Sequence, residues 1–238
     1  VHSLGVSGNS LFVGTEGGGA FLSNDNGSTW TRVNNGMVNT TIQALAVSET
    51  NLFAGTEHVG AWRSSDNGTT WTEINNGLTY SNVQSLATLG TSVFAGTYYS
   101  GVFLSTNSGG IWTEISNDET NNTNPYALVI SGTTLLAGTN LGVFSTSDNG
   151  KNWTLLNNGI PSGTQVLSLA VSGSNIYAGT SYDGFYFSTD NGASWTQSGS
   201  AELKDLRIQS LVVSGTKLFA GTSAGVYLST DNGLTWTT

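Results

Sequence analysis

Apolar and polar positions alternate in short runs along this chain, and clusters of Gly, Asn, Asp and Ser separate the runs. In one representative stretch the alternating runs are residues 42–47, 52–56, 61–64 and 71–74. Short runs of β-forming residues with turn residues between them predict strands joined by hairpins. This stretch is therefore predicted to form four antiparallel strands.

The same pattern recurs from one end of the chain to the other. The octapeptide Ser23–Trp30 has counterparts that end at Trp71, Trp112, Trp153, Trp195 and Trp236, so successive tryptophans are 41, 41, 41, 42 and 41 residues apart. A fixed period of this length predicts a repeat architecture. We assign one domain, residues 1–238, with repeats at about 1–41, 42–82, 83–124, 125–165, 166–207 and 208–238.

A sheet of four short strands is too small to bury its own faces, so neighbouring repeats must cover them. Six such sheets packed radially give an all-β, six-bladed β-propeller with four antiparallel strands per blade. A solenoid is the structural alternative. The propeller is favoured because four up-and-down strands suit a blade and because neither end carries an atypical capping repeat.

The charge balance excludes several classes of partner. The chain has 6 Lys and Arg against 15 Asp and Glu, a net charge of −9, whereas nucleic acid and anionic membranes require basic clusters. No apolar run approaches membrane-spanning length, and the absence of cysteine excludes disulfides. We therefore expect no nucleic-acid or membrane partner. Because the first residue is Val1 rather than Met, we expect the chain to be part of a longer protein.

The recurring motif, Ser-x-Asp-x-Gly-x-x-Trp, resembles the Asp-box, which is also called the sialidase or BNR repeat. The resemblance covers all six repeats and implies a hairpin between the third and fourth strands of each propeller blade. The flanking pattern looks like Asp-box arrays of secreted bacterial surface proteins, which implies an extracellular or cell-surface location and a bacterial source. The motif residues are Asp25, Trp30, Asp66, Trp71, Asn107, Trp112, Asp148, Trp153, Asp190, Trp195, Asp231 and Trp236.

Physical chemistry suggests a structural role for this motif. The Asp carboxylate can accept backbone N–H groups across the turn, Gly supplies a positive φ, and Trp buries apolar area against the neighbouring blade. The third repeat has Asn107 in place of Asp, and we expect an amide to satisfy the turn as well. Metal binding or catalysis by these carboxylates is disfavoured because they are spread one to a repeat.

Sialidase activity does not follow from the resemblance. Sialidases use three arginines, a Tyr/Glu nucleophile pair and an Asp acid/base, but Arg32, Arg63 and Arg207 fall at three different places in the repeat. Xyloglucanases of the Asp-box type place their carboxylates between two propellers, and only one is predicted here. We therefore expect no enzymatic activity and no catalytic residues.

Loop lengths indicate where a ligand would bind. The first hairpin and the recurring motif keep the same length in every repeat, so length varies only between strands two and three and between blades. Those two connections lie at the same end of an up-and-down blade, and function concentrates in loops on a rigid scaffold. The candidate ligand-binding residues at that end are Glu16, Glu57, His58, Tyr80, Tyr98, Tyr99, Tyr182 and Asp183.

Tyrosine rings with carboxylates suit a sugar, since the ring stacks on a pyranose and the acceptors bind its hydroxyls. We therefore expect a non-catalytic extracellular binding module for a carbohydrate or a protein. One alternative is a structural or assembly scaffold, as Asp-box proteins of photosystem assembly and sorting receptors are. Another is a glycoside hydrolase that uses two of Glu16, Glu57 and Asp183. No cofactor or metal is expected, because His58 has only His2 as a second histidine.

Overall fold

The computed structural model describes residues 1–38, 41–48 and 51–238. Every regular element in these residues is a β-strand. The strands form six antiparallel sheets, each made from consecutive strands, and we call them blades 1 to 6 in chain order. The prediction of an all-β chain with six blades is confirmed.

Blades 1 to 3 lie in a first compact unit, Val1–Asn124. Their strands are β1 (Ser3–Ser7), β2 (Ser10–Thr15), β3 (Gly19–Ser23) and β4 (Thr31–Arg32); β5 (Ile42–Ser48), β6 (Asn51–Thr56), β7 (Ala61–Ser64) and β8 (Thr72–Glu73); and β9 (Val83–Leu89), β10 (Ser92–Thr97), β11 (Gly101–Ser105) and β12 (Thr113–Glu114). In blade 2 the first three strands match the apolar runs within one residue, and the fourth is two residues shorter than its run.

Blades 4 to 6 lie in a second compact unit, Pro125–Thr238. Their strands are β13 (Ala127–Ser131), β14 (Thr134–Thr139), β15 (Gly142–Thr146) and β16 (Thr154–Leu155); β17 (Val166–Ser172), β18 (Asn175–Thr180), β19 (Phe185–Ser188) and β20 (Thr196–Gln197); and β21 (Ile208–Ser214), β22 (Lys217–Thr222) and β23 (Gly225–Ser229). In blade 6 a single bridge from Leu228 to Thr237 takes the place of a fourth strand.

The apolar core lies between successive blades of each unit. Phe12 and Ala20 of blade 1 share one cluster with Ile42 and Trp71 of blade 2. Blades 2 and 3, blades 4 and 5, and blades 5 and 6 share corresponding clusters. A blade therefore buries its faces against its neighbours, as the small size of one sheet requires.

Candidate functional site at the loop edge

The recurring turn is a closed hydrogen-bond network. In blade 1 the Ser23 hydroxyl donates to Asp25 Oδ1 at 2.7 Å and accepts from the Gly27 N–H at 2.8 Å. Asp25 also accepts from the Thr29 N–H at 2.9 Å and the Thr29 hydroxyl at 2.6 Å. These bonds favour the ionised carboxylate, so the pKa of Asp25 is lowered to about 2, with the Thr29 hydroxyl as the largest cause.

Equivalent turns close the other five blades. The pKa values of Asp148, Asp190 and Asp231 are likewise lowered to about 2 by hydrogen bonds from the turn, and that of Asp66 is lowered. In blade 3 the amide oxygen of Asn107 accepts from the Ser105 hydroxyl at 2.8 Å and the Ile111 N–H at 2.9 Å. Each motif carboxylate is therefore occupied within its own turn.

The motif tryptophan binds the preceding blade. The Trp71 indole N–H donates to the Val33 carbonyl at 2.8 Å, and its main-chain N–H donates to the Asn35 carbonyl at 2.9 Å. Trp112 of blade 3 and Trp195 of blade 5 make both corresponding bonds, to blades 2 and 4 respectively. Trp30 of blade 1 and Trp236 of blade 6 differ, because their indoles donate within their own turns to the Gly27 and Gly233 carbonyls. Trp30 is 41% exposed, whereas Trp236 is buried.

The Asn-Asn-Gly sequence after the fourth strand joins the second-to-third-strand turn of its own blade to the motif tryptophan of the next blade, a role that the sequence analysis missed. The side-chain oxygen of the first asparagine, Asn75, accepts from the Ala61 N–H at 2.7 Å, and its nitrogen donates to the Val59 carbonyl at 2.9 Å. The carbonyl of the second, Asn76, receives the Trp112 main-chain N–H. Gly77 has a φ of +85°, and a Cβ there would overlap the Trp112 carbonyl. The recurrence of Asn-Asn-Gly in three repeats was the available signal.

Each sheet has a second end, opposite the recurring motif turn. This end carries the turn between the second and third strands and the inter-blade connection, and we call it the loop edge. A threonine ends the second strand of every blade, and its hydroxyl donates to the glycine carbonyl across the turn, for example from Thr56 to Gly60 at 2.8 Å. The same bond occurs at Thr15, Thr97, Thr139, Thr180 and Thr222. These turns are therefore fixed although their lengths differ.

Hydrogen bonds also tie the loop edges of blades 1 to 3 together. The Gly17 N–H of blade 1 donates to the Thr41 hydroxyl at 3.2 Å, and the Glu57 N–H of blade 2 donates to the Thr41 carbonyl at 3.1 Å. The Gly60 N–H of blade 2 then donates at 2.8 Å to the carbonyl of Ser81, which leads into blade 3. The three loop edges form one connected surface.

Two adjacent tyrosines project from this surface on blade 3. Tyr98 and Tyr99 are 43% and 55% exposed, and their rings pack edge to face with centroids 4.2 Å apart. Tyr99 has a left-handed backbone, with φ +57°, which is uncommon for a bulky residue. The buried Asn124 side chain accepts the Tyr99 N–H at 2.7 Å, and the Asn82 carbonyl accepts the Tyr98 N–H at 3.0 Å.

Asn124 ends the connection that follows blade 3, residues 117–124. In that connection the Asn117 side-chain oxygen accepts the Glu119 and Thr120 N–H groups, both at 3.1 Å. Tyr80 precedes β9 at the same edge of blade 3, is 49% exposed and lies 6.5 Å from the Phe103 ring between centroids. The structure therefore places three of the candidate tyrosines at one blade edge.

The remaining candidates of the first unit lie on blades 1 and 2. Glu16 is exposed, and its Oε2 lies 3.8 Å from His2 Nε2. Glu57 Oε1 lies 3.7 Å from Nε2 of the neighbouring His58. Within the described part of the chain, no group of three His, Cys, Asp or Glu side chains could hold a metal ion.

In the second unit the candidates are Tyr182 and Asp183 on blade 5. Tyr182 is 70% exposed. Asp183 accepts the Thr164 hydroxyl at 3.1 Å through its carboxylate and the Gln197 amide at 2.7 Å through its carbonyl. Asp183 and Lys204 line a shallow depression of about 280 Å³ beside the loop 199–204. These hydrogen bonds hold the turn, so Asp183 is partly committed to structure.

Comparisons with known proteins place this fold. The model of the DUF6242 beta propeller domain matches residues 120–238, half of the chain. Among curated protein sequences, none is similar enough to count as a match. No helix in the described residues is long and apolar enough to cross a bilayer.

Three solved structures illustrate the likeness. YCF48 bound to D1 peptide has a TM-score of 0.73 at 14% identity, over 98% of this chain and 79% of that chain. The GH74 xyloglucanase of Xanthomonas campestris has a TM-score of 0.77 at 16% identity, over 100% of this chain and 45% of that chain. The extracellular domain of the putative hybrid two component system BT4673 from B. thetaiotaomicron has a TM-score of 0.78 at 17% identity, over 96% of this chain and 32% of that chain.

This chain therefore spans less than half of the xyloglucanase and about a third of BT4673. At these identities the likeness shows the fold alone, and the fold is a six-bladed β-propeller with no further activity implied. The family match over half of the chain goes further. The chain belongs to the DUF6242 beta propeller domain family.

Proposed function

We propose that this protein is a non-catalytic binding module whose ligand, a segment of another polypeptide, lies on the loop edge of blades 1 to 3. The observation that carries the proposal is the Tyr98–Tyr99 pair. A left-handed backbone at a tyrosine is energetically costly, and such strain concentrates at binding sites. Here Asn124 holds that backbone in place and the ring faces solvent. A preorganised aromatic surface loses little entropy when it binds.

The charge of this surface favours a basic ligand. Glu16, Asp118 and Glu119 are exposed at the loop edge of the first unit, and Glu57 is partly exposed. The net charge of −9 adds long-range attraction for a positively charged segment. A Lys or Arg side chain can also lie over a tyrosine ring, which contributes about 0.5–2 kcal/mol. We therefore propose that the ligand segment contains Lys or Arg.

A carbohydrate is the second candidate ligand, because an exposed tyrosine ring also stacks on a pyranose and carboxylates accept its hydroxyl protons. The peptide ranks first because YCF48, a propeller similar to this one, is seen bound to a peptide. An assembly scaffold would use the same peptide contacts.

We propose that the protein lacks catalysis, because the motif aspartates accept hydrogen bonds within their own turns. A glycosidase needs one carboxylic acid with a raised pKa. Among the described residues, the carboxyl groups with a shifted pKa, namely the motif aspartates and Glu202, are all lowered by hydrogen bonds. We also propose that the recurring turns are Asp-boxes and that the protein acts outside the cell.

The test is a panel of short Lys/Arg-containing peptides and a glycan array, each probed with the wild type and with a Tyr98→Ala, Tyr99→Asn double variant. We expect peptide binding that weakens at least about tenfold in the double variant, since aromatic contact residues dominate binding energy. The matched control is Tyr182→Ser, which removes an exposed tyrosine from blade 5 and should leave affinity unchanged. Glycan binding alone would favour the second candidate, and equal losses in both variants would contradict the site.

A further inference from the structure

A cavity lies between blades 4 and 5 of the second unit, beside their recurring motif turns. Its volume is about 350 Å³. Ligand pockets in proteins typically measure about 300–1,000 Å³, so the cavity is large enough for a small ligand. Its lining combines the apolar side chains of Leu136, Leu156 and Ile176 with hydroxyl, amide and carboxylate groups.

A single short side chain accounts for this cavity. Ser145 lies opposite Leu136 on the face of blade 4 that meets blade 5. The residues at the same position of the other blades are all larger, namely Leu22, Arg63, Leu104, Phe187 and Leu228. Leu22 packs in the apolar cluster of blades 1 and 2, and Phe187 packs in that of blades 5 and 6. Serine therefore leaves open a space that a longer side chain fills between other blades.

Blade 2 shows which chemical group this space accepts. The guanidinium group of Arg63 donates from Nη1 to the main-chain carbonyl of Ser108, in the motif turn of blade 3, at 3.2 Å. The residue of blade 5 that corresponds to Ser108 is Asn191, since each directly precedes the motif glycine. Asn191 lines the cavity, and Ser145 is too short to reach that carbonyl as Arg63 reaches its own.

The two motif turns sit on the preceding blade in the same way. A Cβ at Gly109 of blade 3 would come within 2.3 Å of the Ile74 side chain. A Cβ at Gly192 of blade 5 would come within 2.8 Å of Leu156, which corresponds to Ile74. The carbonyl that receives a guanidinium group in blade 3 is therefore reproduced in blade 5.

The charge of the lining also favours a cation. The Asp148 carboxylate lines the cavity and is ionised, because hydrogen bonds led by that of the Asn152 N–H lower its pKa to about 2. Lys151, in the same turn, is exposed to solvent, which screens its charge. Arginine side chains lay their methylene groups along apolar surface, and Leu136 and Leu156 provide such a surface.

We propose that this cavity binds a guanidinium group, either of free arginine or of an arginine side chain in a peptide. The group donates to the Asn191 carbonyl, and the Asp148 carboxylate attracts its charge. The site belongs to blades 4 and 5, whereas the proposed peptide surface belongs to the loop edge of blades 1 to 3. The inference is therefore independent of the proposed function.

The test is a calorimetric titration of the full chain with L-arginine and with the tripeptide Gly-Arg-Gly. All titrations use the Tyr98→Ala, Tyr99→Asn background, so that the proposed loop-edge surface does not contribute. We expect saturable binding of at least one arginine probe, and the tighter of the two identifies the source of the group. The matched ligand is Gly-Lys-Gly, which should bind at least about fivefold more weakly because an ammonium group lacks the planar fork of a guanidinium.

Two reciprocal variants locate the site. Ser145→Leu introduces the residue that three other blades have, so it should weaken arginine binding at least about tenfold by filling the cavity. Its Tm should stay within about 3 °C of that of the parent. Arg63→Ser removes the resident guanidinium between blades 2 and 3, so it should add a second arginine site to the chain.

Three results would overturn the proposal. The first is the absence of saturable arginine binding to the parent. The second is equal arginine affinity of the parent and Ser145→Leu, with no added site in Arg63→Ser. The third is binding of neutral sugars, but not of arginine, that Ser145→Leu abolishes, because a polyol would then be the occupant of the cavity.

Discussion

The indole Nε1–H of Trp112 donates a 2.6 Å hydrogen bond to the main-chain carbonyl of Ile74, which belongs to the preceding blade. Trp112 is 3% exposed and Ile74 is 8% exposed, so neither group is paired with bulk water. The motif that closes the blade 3 turn therefore also fastens blade 3 to blade 2.

Trp112→Phe should destabilise the protein by about 2–4 kcal/mol. The change removes the indole donor, leaves the buried Ile74 carbonyl without that partner and reduces the packed volume. Urea unfolding followed by far-UV circular dichroism measures the loss.

Trp30→Phe is the matched control, because Trp30 is 41% exposed and its indole bonds within its own turn. We expect this variant to lose less than about 1 kcal/mol, as exposed substitutions usually do. Equal losses at Trp30 and Trp112 would mean that the inter-blade bond contributes nothing measurable.

Gly77→Ala should be far more costly than Gly90→Ala. Both glycines have positive φ, +85° and +57°, so both variants lose about 1–2 kcal/mol of backbone free energy. At Gly77 the new methyl group also overlaps the Trp112 carbonyl, whereas at Gly90 nothing lies within 4 Å. We expect the thermal midpoint to fall at least twice as far for Gly77→Ala. A similar fall in both variants would show that blade 2 moves to accommodate the methyl group.

The sequence was sufficient to predict the blades but not what joins them. Alternation fixes strand positions because it depends on local burial, and the recurring Trp marks the period. The partner of that Trp was not predictable, because a carbonyl such as that of Ile74 is present at every residue and only the packed blades select it. The contacts of the Asn-Asn-Gly segment were not predictable for the same reason.

The loop edge was predicted only as a list of residues. Loop-length variation singled out the second-to-third-strand turns and the inter-blade connections, yet it gave no means of ranking Tyr99 above Tyr182. That ranking depends on a backbone angle and on the Asn124 side chain, 25 residues away. Long-range side-chain contacts of this kind have no periodic signature.

Stability should fall as the pH drops from about 4 toward 2. The folded-state pKa of Asp25, Asp148, Asp190 and Asp231 is about 2, below the ordinary value of 3.8. A lowered folded pKa contributes stability above the unfolded value, and that contribution is lost as the carboxylates are protonated. Urea midpoints measured across this pH range test the prediction.

The control replaces all four aspartates with asparagine, as blade 3 already has at Asn107. Its side-chain oxygen accepts the same turn N–H, so the variant should fold at neutral pH. Its urea midpoint should change less than that of the wild type between pH 4 and pH 2. An equal change in both proteins would place the acid-sensitive groups elsewhere.

Tyr99→Asn should separate binding from stability. Asparagine tolerates the left-handed backbone better than tyrosine, and the main-chain N–H can still donate to Asn124. The exposed ring contributes little to folding, so the unfolding free energy should change by less than about 0.5 kcal/mol or rise slightly. Affinity for the peptide selected with the wild type should nevertheless fall at least about tenfold in calorimetric titration.

Asn124→Ala is the control, because it removes the acceptor of the Tyr99 N–H and keeps the ring. It should weaken binding less than Tyr99→Asn but destabilise the loop, because the Tyr99 N–H loses its partner. If Tyr99→Asn lost stability and kept affinity, the strained tyrosine would be a structural feature and the ligand would bind elsewhere.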